Sequence, residues 1–295
     1  MEINEDSYVI QPNVISRAIY IMPTMVRRLI HFAILNVQIT RPDDMYITIP
    51  LHDLALQFGF TKTKRYNQIK AAIDIATKQV LRFEKDDGVI TEWIPWLTYC
   101  NLNLKTNILS LQVNPHLHGF VLSYRQNEGF TILLTADLLK LEGRYAYRWF
   151  EIIVSRSGHA DHEGHFFVRC TFDDVKQRFV IDKNKYKSLK DFKQNIINKP
   201  IEEINGKYLG YKIYIKYVCK GKKVTDLILQ CVYAERKNGK KPIAYYISRY
   251  RKEYRDCYNE AKKSLEVRQY RNRKSYDLAC THKAIELLKE RLPNE

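Results

Sequence analysis

The sequence lacks most of the features by which function classes announce themselves. Its six cysteines, at positions 100, 170, 219, 231, 257 and 280, never form a Cys-x-x-Cys pair. A disulfide framework is disfavoured in a reducing compartment, so they read as small buried or half-buried side chains. No stretch approaches the roughly 18 apolar residues that span a bilayer. The amino terminus, MEINEDSYVI, is acidic where a secretory signal is basic and then apolar. A cytoplasmic protein with no membrane partner is expected. There is no glycine-rich phosphate loop and no Ser/His/Asp arrangement, and nothing calls for a cofactor.

What is present is charge of one sign. The 295 residues carry a formal charge of +16 with 45% hydrophobic content. That content excludes wholesale disorder, and the length allows two ordinary domains, each with its own core. Each phosphate neutralised by Lys or Arg releases condensed counterions, so the excess favours a polyanionic partner. Nucleic acid is the default, and an anionic membrane surface is the competitor.

The stretch from Thr171 to Val232 organises the rest. Thr171 stands three residues before Asp174, a capping box that starts the helix TFDDVKQRF. A polar break, Ile181 to Asn184, separates it from KYKSLKDFKQNIINKPIEEIN. There Leu189, Phe192, Ile196 and Ile197 fall together at helical spacing and face a core. The opposite stripe holds Asn184, Lys187, Lys190, Asp191, Gln194 and Asn198, cations and amides suited to phosphates and base edges. After Gly206 the period switches to two: Tyr211, Ile213, Ile215 and Tyr217 alternate with Lys212, Tyr214 and Lys216. Lys220-Gly221-Lys222-Lys223 then turns the chain into Val224 to Val232, a lysine-tipped hairpin that would grip a sugar-phosphate backbone. A charged stripe alone is commonly just a solvated face. Helix, turn, basic helix and basic hairpin in succession make a winged helix-turn-helix.

The same order occurs earlier. Residues 1–13 read as a polar arm, followed by two helices joined at Pro23, with Thr24 a cap for the second. Tyr46 to Ile49 is a strand candidate, and Pro50 initiates LHDLALQFGF. In TKTKRYNQIKAAIDIATKQVLRF one stripe is apolar (Tyr66, Ile69, Ile73, Ala76, Val80), while the basic first turn, Lys62, Lys64, Arg65 and Gln68, could meet DNA. Ala71 and Ile75 are apolar where solvent is expected. They mark either a protein contact or a helix more buried than the projection allows. Two or three strands follow between Val89 and Val113.

The polar run SYRQNEG, ending at Gly129, sets a boundary. Beyond it Thr135 is placed to cap a helix through Ile153 that Gly143 bends or divides. The fold class expected is α+β: two tandem winged helix-turn-helix domains, 14–129 and 130–234, plus a basic, helical C-terminal tail over 235–295. The tail lacks a clear core-forming stripe before Leu278 and reads as partly disordered alone.

Two histidine clusters suggest enzyme chemistry. His116-Leu117-His118 has the form by which rolling-circle nickases hold a divalent metal. It lies at the end of a strand, where alternation puts both imidazoles on one face regardless of function. His159, His162 and His165, with Asp161 and Glu163, could supply zinc ligands, but Gly158 and Gly164 favour a solvated connection. Neither cluster rises to a catalytic or metal assignment, so no enzyme activity is expected.

The run LEGRYAYRWFEIIVSR, then TFDDVKQRF, then KYKSLKDFKQNIINKPIEEINGKYLGYKIYIKYVCKGKKV resembles the replication initiator (Rep) proteins of iteron-containing plasmids. "YAYRWFEII", "Y-x-S-x-x-x-F-K" and "I-x-x-P-I-E-E-I-N" stand where that family has its leading and recognition helices. The resemblance extends more weakly over residues 14–122. It implies a double-stranded DNA partner, the direct repeats of an origin, bound mainly through the second domain. It also implies opening of an adjacent AT-rich segment, recruitment of a host initiator ATPase and replicative helicase, and dimers joined through the first domain that repress their own gene. Carried over, the reading face would be Lys185, Lys187, Ser188, Lys190, Asp191 and Gln194, and the wing Lys220, Lys222 and Lys223. Ala71 and Ile75 suit a dimer contact. The long basic tail departs from the shortest family pattern. The alternatives are a metal-dependent nickase and a winged-helix repressor with no replication role.

Overall fold

The computed structural model describes residues 7–40, 44–58, 65–85, 90–121, 129–182, 185–186, 188–221, 223–236, 239–266 and 273–291. The described chain opens on β1 (Tyr8–Pro12), a strand whose five side chains are all buried. This corrects the polar-arm reading for these residues: the acidic residues that coloured the stretch all precede Ser7, and Tyr8, Val9 and Ile10 are apolar. A short helix α1 (Asn13–Arg17) leads past Pro23 to α2 (Thr24–Thr40). The α2 helix is buried almost all round and forms the axis of the first core. Thr24 does not cap it; its hydroxyl donates to the Glu142 carbonyl at 2.6 Å.

Next come β2 (Tyr46–Pro50), α3 (Leu51–Gln57), α4 (Arg65–Ala76), β3 (Val80–Lys85), β4 (Ile90–Pro95), β5 (Leu97–Asn103) and β6 (Ile108–Val113). Strands β2, β6 and β5 form one antiparallel sheet with β6 in the centre, and β3 with β4 forms a separate hairpin inserted before β5. The α4 helix ends at Ala76, earlier than the apolar stripe suggested, because Val80 and Arg82 lie in β3 and pair with Pro95 and Trp93 of β4. A 3₁₀ turn (Pro115–Leu117) and α5 (His118–Val121) precede β7 (Phe130–Leu134), which pairs antiparallel with β1. The other edge of β1 is completed by a side chain: Gln38 accepts from the Ile10 N–H (3.1 Å) and donates to the Ile10 carbonyl (2.6 Å). A buried edge left without such a partner would orphan its backbone groups.

The second unit runs α6 (Thr135–Lys140), α7 (Arg144–Ser157), β8 (His165–Thr171), α8 (Phe172–Arg178), α9 (Leu189–Phe192), a π turn (Lys193–Asn198), α10 (Lys199–Gly206), β9 (Leu209–Lys220) and β10 (Lys223–Arg236). Its sheet order, β8-β10-β9, repeats that of the first unit. Gly143 divides α6 from α7. Glu203 of α10 accepts from the backbone N–H of Glu142 (2.6 Å) and of Gly143 (3.1 Å), satisfying two donors at the start of α7. A Cβ on residue 143 would stand 2.6 Å from that carboxylate, so a larger residue would push the Glu203 side chain out of these bonds. Thr135 is not a cap: its hydroxyl is buried without a partner.

Helices α2 and α7 meet along a buried polar seam. Glu151 takes Arg27 in an ion pair and accepts from the Tyr20 hydroxyl (2.6 Å) and from Arg148 (3.3 Å). Arg148 also donates to the carbonyls of Ser16 (2.9 Å) and Ala18 (2.5 Å), and its guanidinium lies 4.1 Å from the centre of the Tyr20 ring. Arg27 covers Trp96 at 4.8 Å. Burial, with Arg27 beside it, holds the His31 imidazole well below its ordinary pKa. The neutral ring shares a hydrogen bond with the Tyr147 hydroxyl through Nδ1 at 2.8 Å. Two guanidinium groups share one carboxylate, so removing Glu151 would leave both buried cations without a counter-charge.

The C-terminal segment is folded where a partly disordered tail was expected. Helices α11 (Ile243–Arg249), α12 (Arg251–Ser264) and α13 (Arg273–Arg291) follow β10, and α12 and α13 form a hairpin with its own small core. That core is built from Cys257 and Ala261 against Tyr276, Cys280, Ala284 and Leu288, spaced every four residues on each helix. Small residues and tyrosines make a narrow stripe that a search for Leu, Ile and Val passes over. The hairpin docks on the first unit: His282 stacks on Tyr8 at 5.0 Å and Ile285 joins the first core.

Candidate nucleic-acid interface

The second unit's helical pair is held by local chemistry at each end. The capping box is formed: Thr171 accepts from the Asp174 N–H (3.0 Å) and Asp174 accepts from the Thr171 N–H (2.9 Å). At the other end of α8 the Ile181 N–H reaches back to the Lys176 carbonyl (2.9 Å), a closing bond across six residues. The intervening Val180 takes φ of 48°. A β-branched residue in the left-handed region stores strain and sets the exit direction of the turn. Ile181, within the polar break of the sequence reading, is buried and plugs that turn.

The next helix begins at Ser188, whose hydroxyl accepts from the Asp191 N–H (3.0 Å) and donates to the Asp191 carboxylate (2.7 Å). Midway it widens into the π turn, and Pro200 explains why. In a regular helix the Ile196 carbonyl would receive the N–H of residue 200, which proline lacks, and the proline ring would strike that carbonyl. The wider turn opens the space, and the Trp149 indole N–H donates to Ile196 O at 2.7 Å. The leading helix thus repairs a defect in the helix it supports.

On the outer face Lys190, Asp191 and Gln194 are exposed, as are Lys185 and Ser188 in the turn before it. Ser188 and Asp191 commit polar atoms to the cap, leaving Lys190 and Gln194 freer to reach outward. Lys187 and Lys222 lie outside the described residues, and only the backbone of Lys223 is described. Lys220 is exposed at the hairpin tip and pairs in register with Lys223, with Gly221 between them at φ 61°. Missed from sequence was the tie between the helix and the hairpin. Tyr217 donates to Asn198 (2.7 Å), Asn198 donates to Gln194 (3.4 Å), and Lys193 sits 4.2 Å over the Tyr217 ring. The helical spacing of Gln194 and Asn198 was the available signal; the reach of Tyr217 was not.

In the first unit α4 buries Ile69, Ala72, Ile73 and Ala76. Gln68, Ala71 and Ile75 are exposed, Ile75 to 38%, so the more-buried explanation for these two apolar residues does not hold in the isolated chain. Lys62 and Lys64 lie outside the described residues, and Arg65 is placed only by its backbone. The hairpin of β5 and β6 occupies the wing position, with Leu104 and Lys105 at its tip.

The histidines fall as follows. His116 and His118 occupy a 3₁₀ turn and the start of α5 rather than a strand, and two positions apart in a helical turn they do not face each other. His159, His162 and His165 surround a turn in which Asp161 accepts from the N–H of Glu163 (3.0 Å) and His165 (2.8 Å). Those bonds hold the Asp161 carboxyl below the usual range. Among the described residues no group of three or more His, Cys, Asp or Glu side chains is gathered for a metal ion.

Two units with leading helix, first strand, helix, helix and a two-stranded wing, each with its last strand central, define a tandem winged-helix protein. A family model described as "Initiator Replication protein, WH1" matches residues 8–154, and "Initiator Rep protein, WH2" matches residues 171–248. The PI protein of Escherichia coli is 21% identical over 270 residues, 80% of this chain and 86% of its own length. The structure of Pi initiator protein in complex with iteron DNA superposes with a TM-score of 0.58 at 17% identity, covering 79% of this chain and 99% of that one. The chain belongs to the initiator replication (Rep) protein family.

Proposed function

We propose that this chain initiates plasmid replication by binding direct repeats at an origin, opening the adjacent duplex and recruiting a host initiator ATPase and replicative helicase. The observation that carries the reading is the outward presentation of Lys190 and Gln194 on a capped, tryptophan-supported helix beside a lysine-tipped hairpin. The segment 130–234 supplies sequence reading. The segment 14–129 adds a second DNA contact through Lys62, Lys64, Arg65 and Gln68, or a self-contact through Ala71 and Ile75 when the chain acts as an autorepressing dimer. It works in the cytoplasm, without a catalytic step of its own; no helix among the described residues is long and apolar enough to cross a membrane.

The reading is tested by titrating a repeated-site duplex and a scrambled duplex at two salt concentrations. Specific binding that weakens steeply with salt is expected. Lys190→Ala with Gln194→Ala should lose discrimination as well as affinity, whereas Lys220→Ala should weaken both duplexes alike. Equal binding of the two duplexes by the unmodified chain refutes the reading.

A further inference from the structure

The second unit's sheet has a face that duplex recognition does not use. Along β8 the side chains of Phe166, Val168 and Cys170 turn inward onto the core shared with α7 and α10, while His165, Phe167 and Arg169 turn outward. The register then builds rows across the outer face. Phe167 stands opposite Gln230, which stands opposite Tyr214. On one side the row is Arg169, Ile228 and Lys216; on the other it is His165, Val232 and Lys212. Phe167 is 57% exposed and Tyr214 55% exposed. Two large rings left in water on one sheet face are unusual unless something covers them.

We infer that this outer face, centred on Phe167, Gln230 and Tyr214, binds single-stranded DNA. With strands about 4.8 Å apart, the two rings lie roughly 10 Å from each other across Gln230, and the flanking rows lie about 7 Å to either side. The result is an aromatic row bordered by Arg169, Lys212 and Lys216, with no carboxylate in the three rows. A duplex hides its base faces within the stack and offers such rings nothing to cover. An unpaired strand offers base faces to the rings, phosphates to the flanking cations, and a base edge to the Gln230 amide. A neutral protein surface would leave the three cations without partners. The helices pack on the opposite side of the sheet, so a duplex at Lys190 and Gln194 and a strand at Phe167 and Tyr214 occupy different faces. The inference rests on the replication reading for the source of the strand: opening next to the bound repeats delivers unpaired DNA.

The test uses the full chain, a fluorescein-labelled oligothymidylate of about twenty nucleotides and a repeated-site duplex. Phe167→Ala with Tyr214→Ala should weaken oligothymidylate binding about a hundredfold, roughly tenfold per ring. Duplex affinity should stay within about twofold, because recognition-helix contacts are untouched. Phe167→Tyr with Tyr214→Phe should retain single-strand binding, and an iodouracil-substituted oligonucleotide should crosslink to peptides containing residues 167 or 214. Unchanged single-strand binding in the double alanine variant, or parallel loss of single-strand and duplex binding, overturns the assignment. So does loss of self-association by sedimentation with single-strand binding intact, which would make the face a contact between copies. If the unmodified chain fails to prefer the repeated duplex while oligothymidylate binding still tracks the two rings, the replication reading falls and the single-strand site stands.

Discussion

The two winged units share strand order and differ in the helix they present. In the second, a serine cap, a π turn at Pro200 and the Trp149 hydrogen bond hold the recognition helix, and its exposed face is cationic and amide-bearing. In the first, α4 is a plain helix whose exposed face mixes Gln68 with Ala71 and Ile75. The shared strand order therefore carries two surfaces: one helix turns cations and amides outward, the other an exposed mixture of amide and apolar side chains. Between them the seam of α2 and α7 joins the two leading helices through Glu151.

The largest expected effect breaks that seam. Glu151→Leu leaves Arg27 and Arg148 buried without their shared carboxylate and should destabilise the chain by about 3–5 kcal/mol in urea unfolding. Adding Arg27→Met should recover part of the loss, since one of the two unpaired buried cations is removed. A smaller effect sharpens the contrast between recognition helices: Lys190→Ala and Gln194→Ala should each cost about 1–3 kcal/mol on the repeated duplex and little on a scrambled one. Gln68→Ala on α4 should leave the ratio between the two duplexes unchanged.

Removing only the repair of the π turn comes next. Trp149→Phe keeps the ring but leaves the Ile196 carbonyl unsatisfied, an expected loss of about 1–3 kcal/mol in stability with no counterpart in the first unit. Acid should act on the seam more gently. The folded His31 has a depressed pKa, so its contribution is fully present above the unfolded value near 6.5 and is lost as pH falls below it. The slope should not exceed about 1.4 kcal/mol per pH unit from this group. His31→Gln should flatten the stability profile between neutral and mildly acidic solution. Smallest of all, Ile75→Asp should weaken self-association seen by sedimentation while leaving monomer binding to a single repeat unaltered; weakened single-repeat binding would place Ile75 at DNA instead.

The elements most legible in the sequence were those whose signals are local. The Thr171–Asp174 box, the alternation from Tyr211 to Val232 and the outward set of Lys190 and Gln194 need only neighbours in the chain to be read. What escaped depends on distant partners. Trp149 and Pro200 are 51 positions apart in sequence, and neither residue alone announces a π turn. Tyr8–Pro12 becomes a strand because β7 and Gln38 complete its edges. The C-terminal hairpin hides its seam in Cys, Ala and Tyr, residues of weak hydrophobic contrast. Thr24 and Thr135 looked like caps by type, yet one hydroxyl is claimed by a carbonyl of the second unit and the other lies buried.

Hydroxyl-radical footprinting of the chain on one direct repeat tests the shared topology and divided chemistry most directly. Two heads in series predict two protected stretches on the same face of the duplex, about one helical turn or 10–10.5 base pairs apart, with the Lys190→Ala, Gln194→Ala variant losing one and weakening the other. A single protected groove, or two that vanish together when only α4 is altered, would contradict the account.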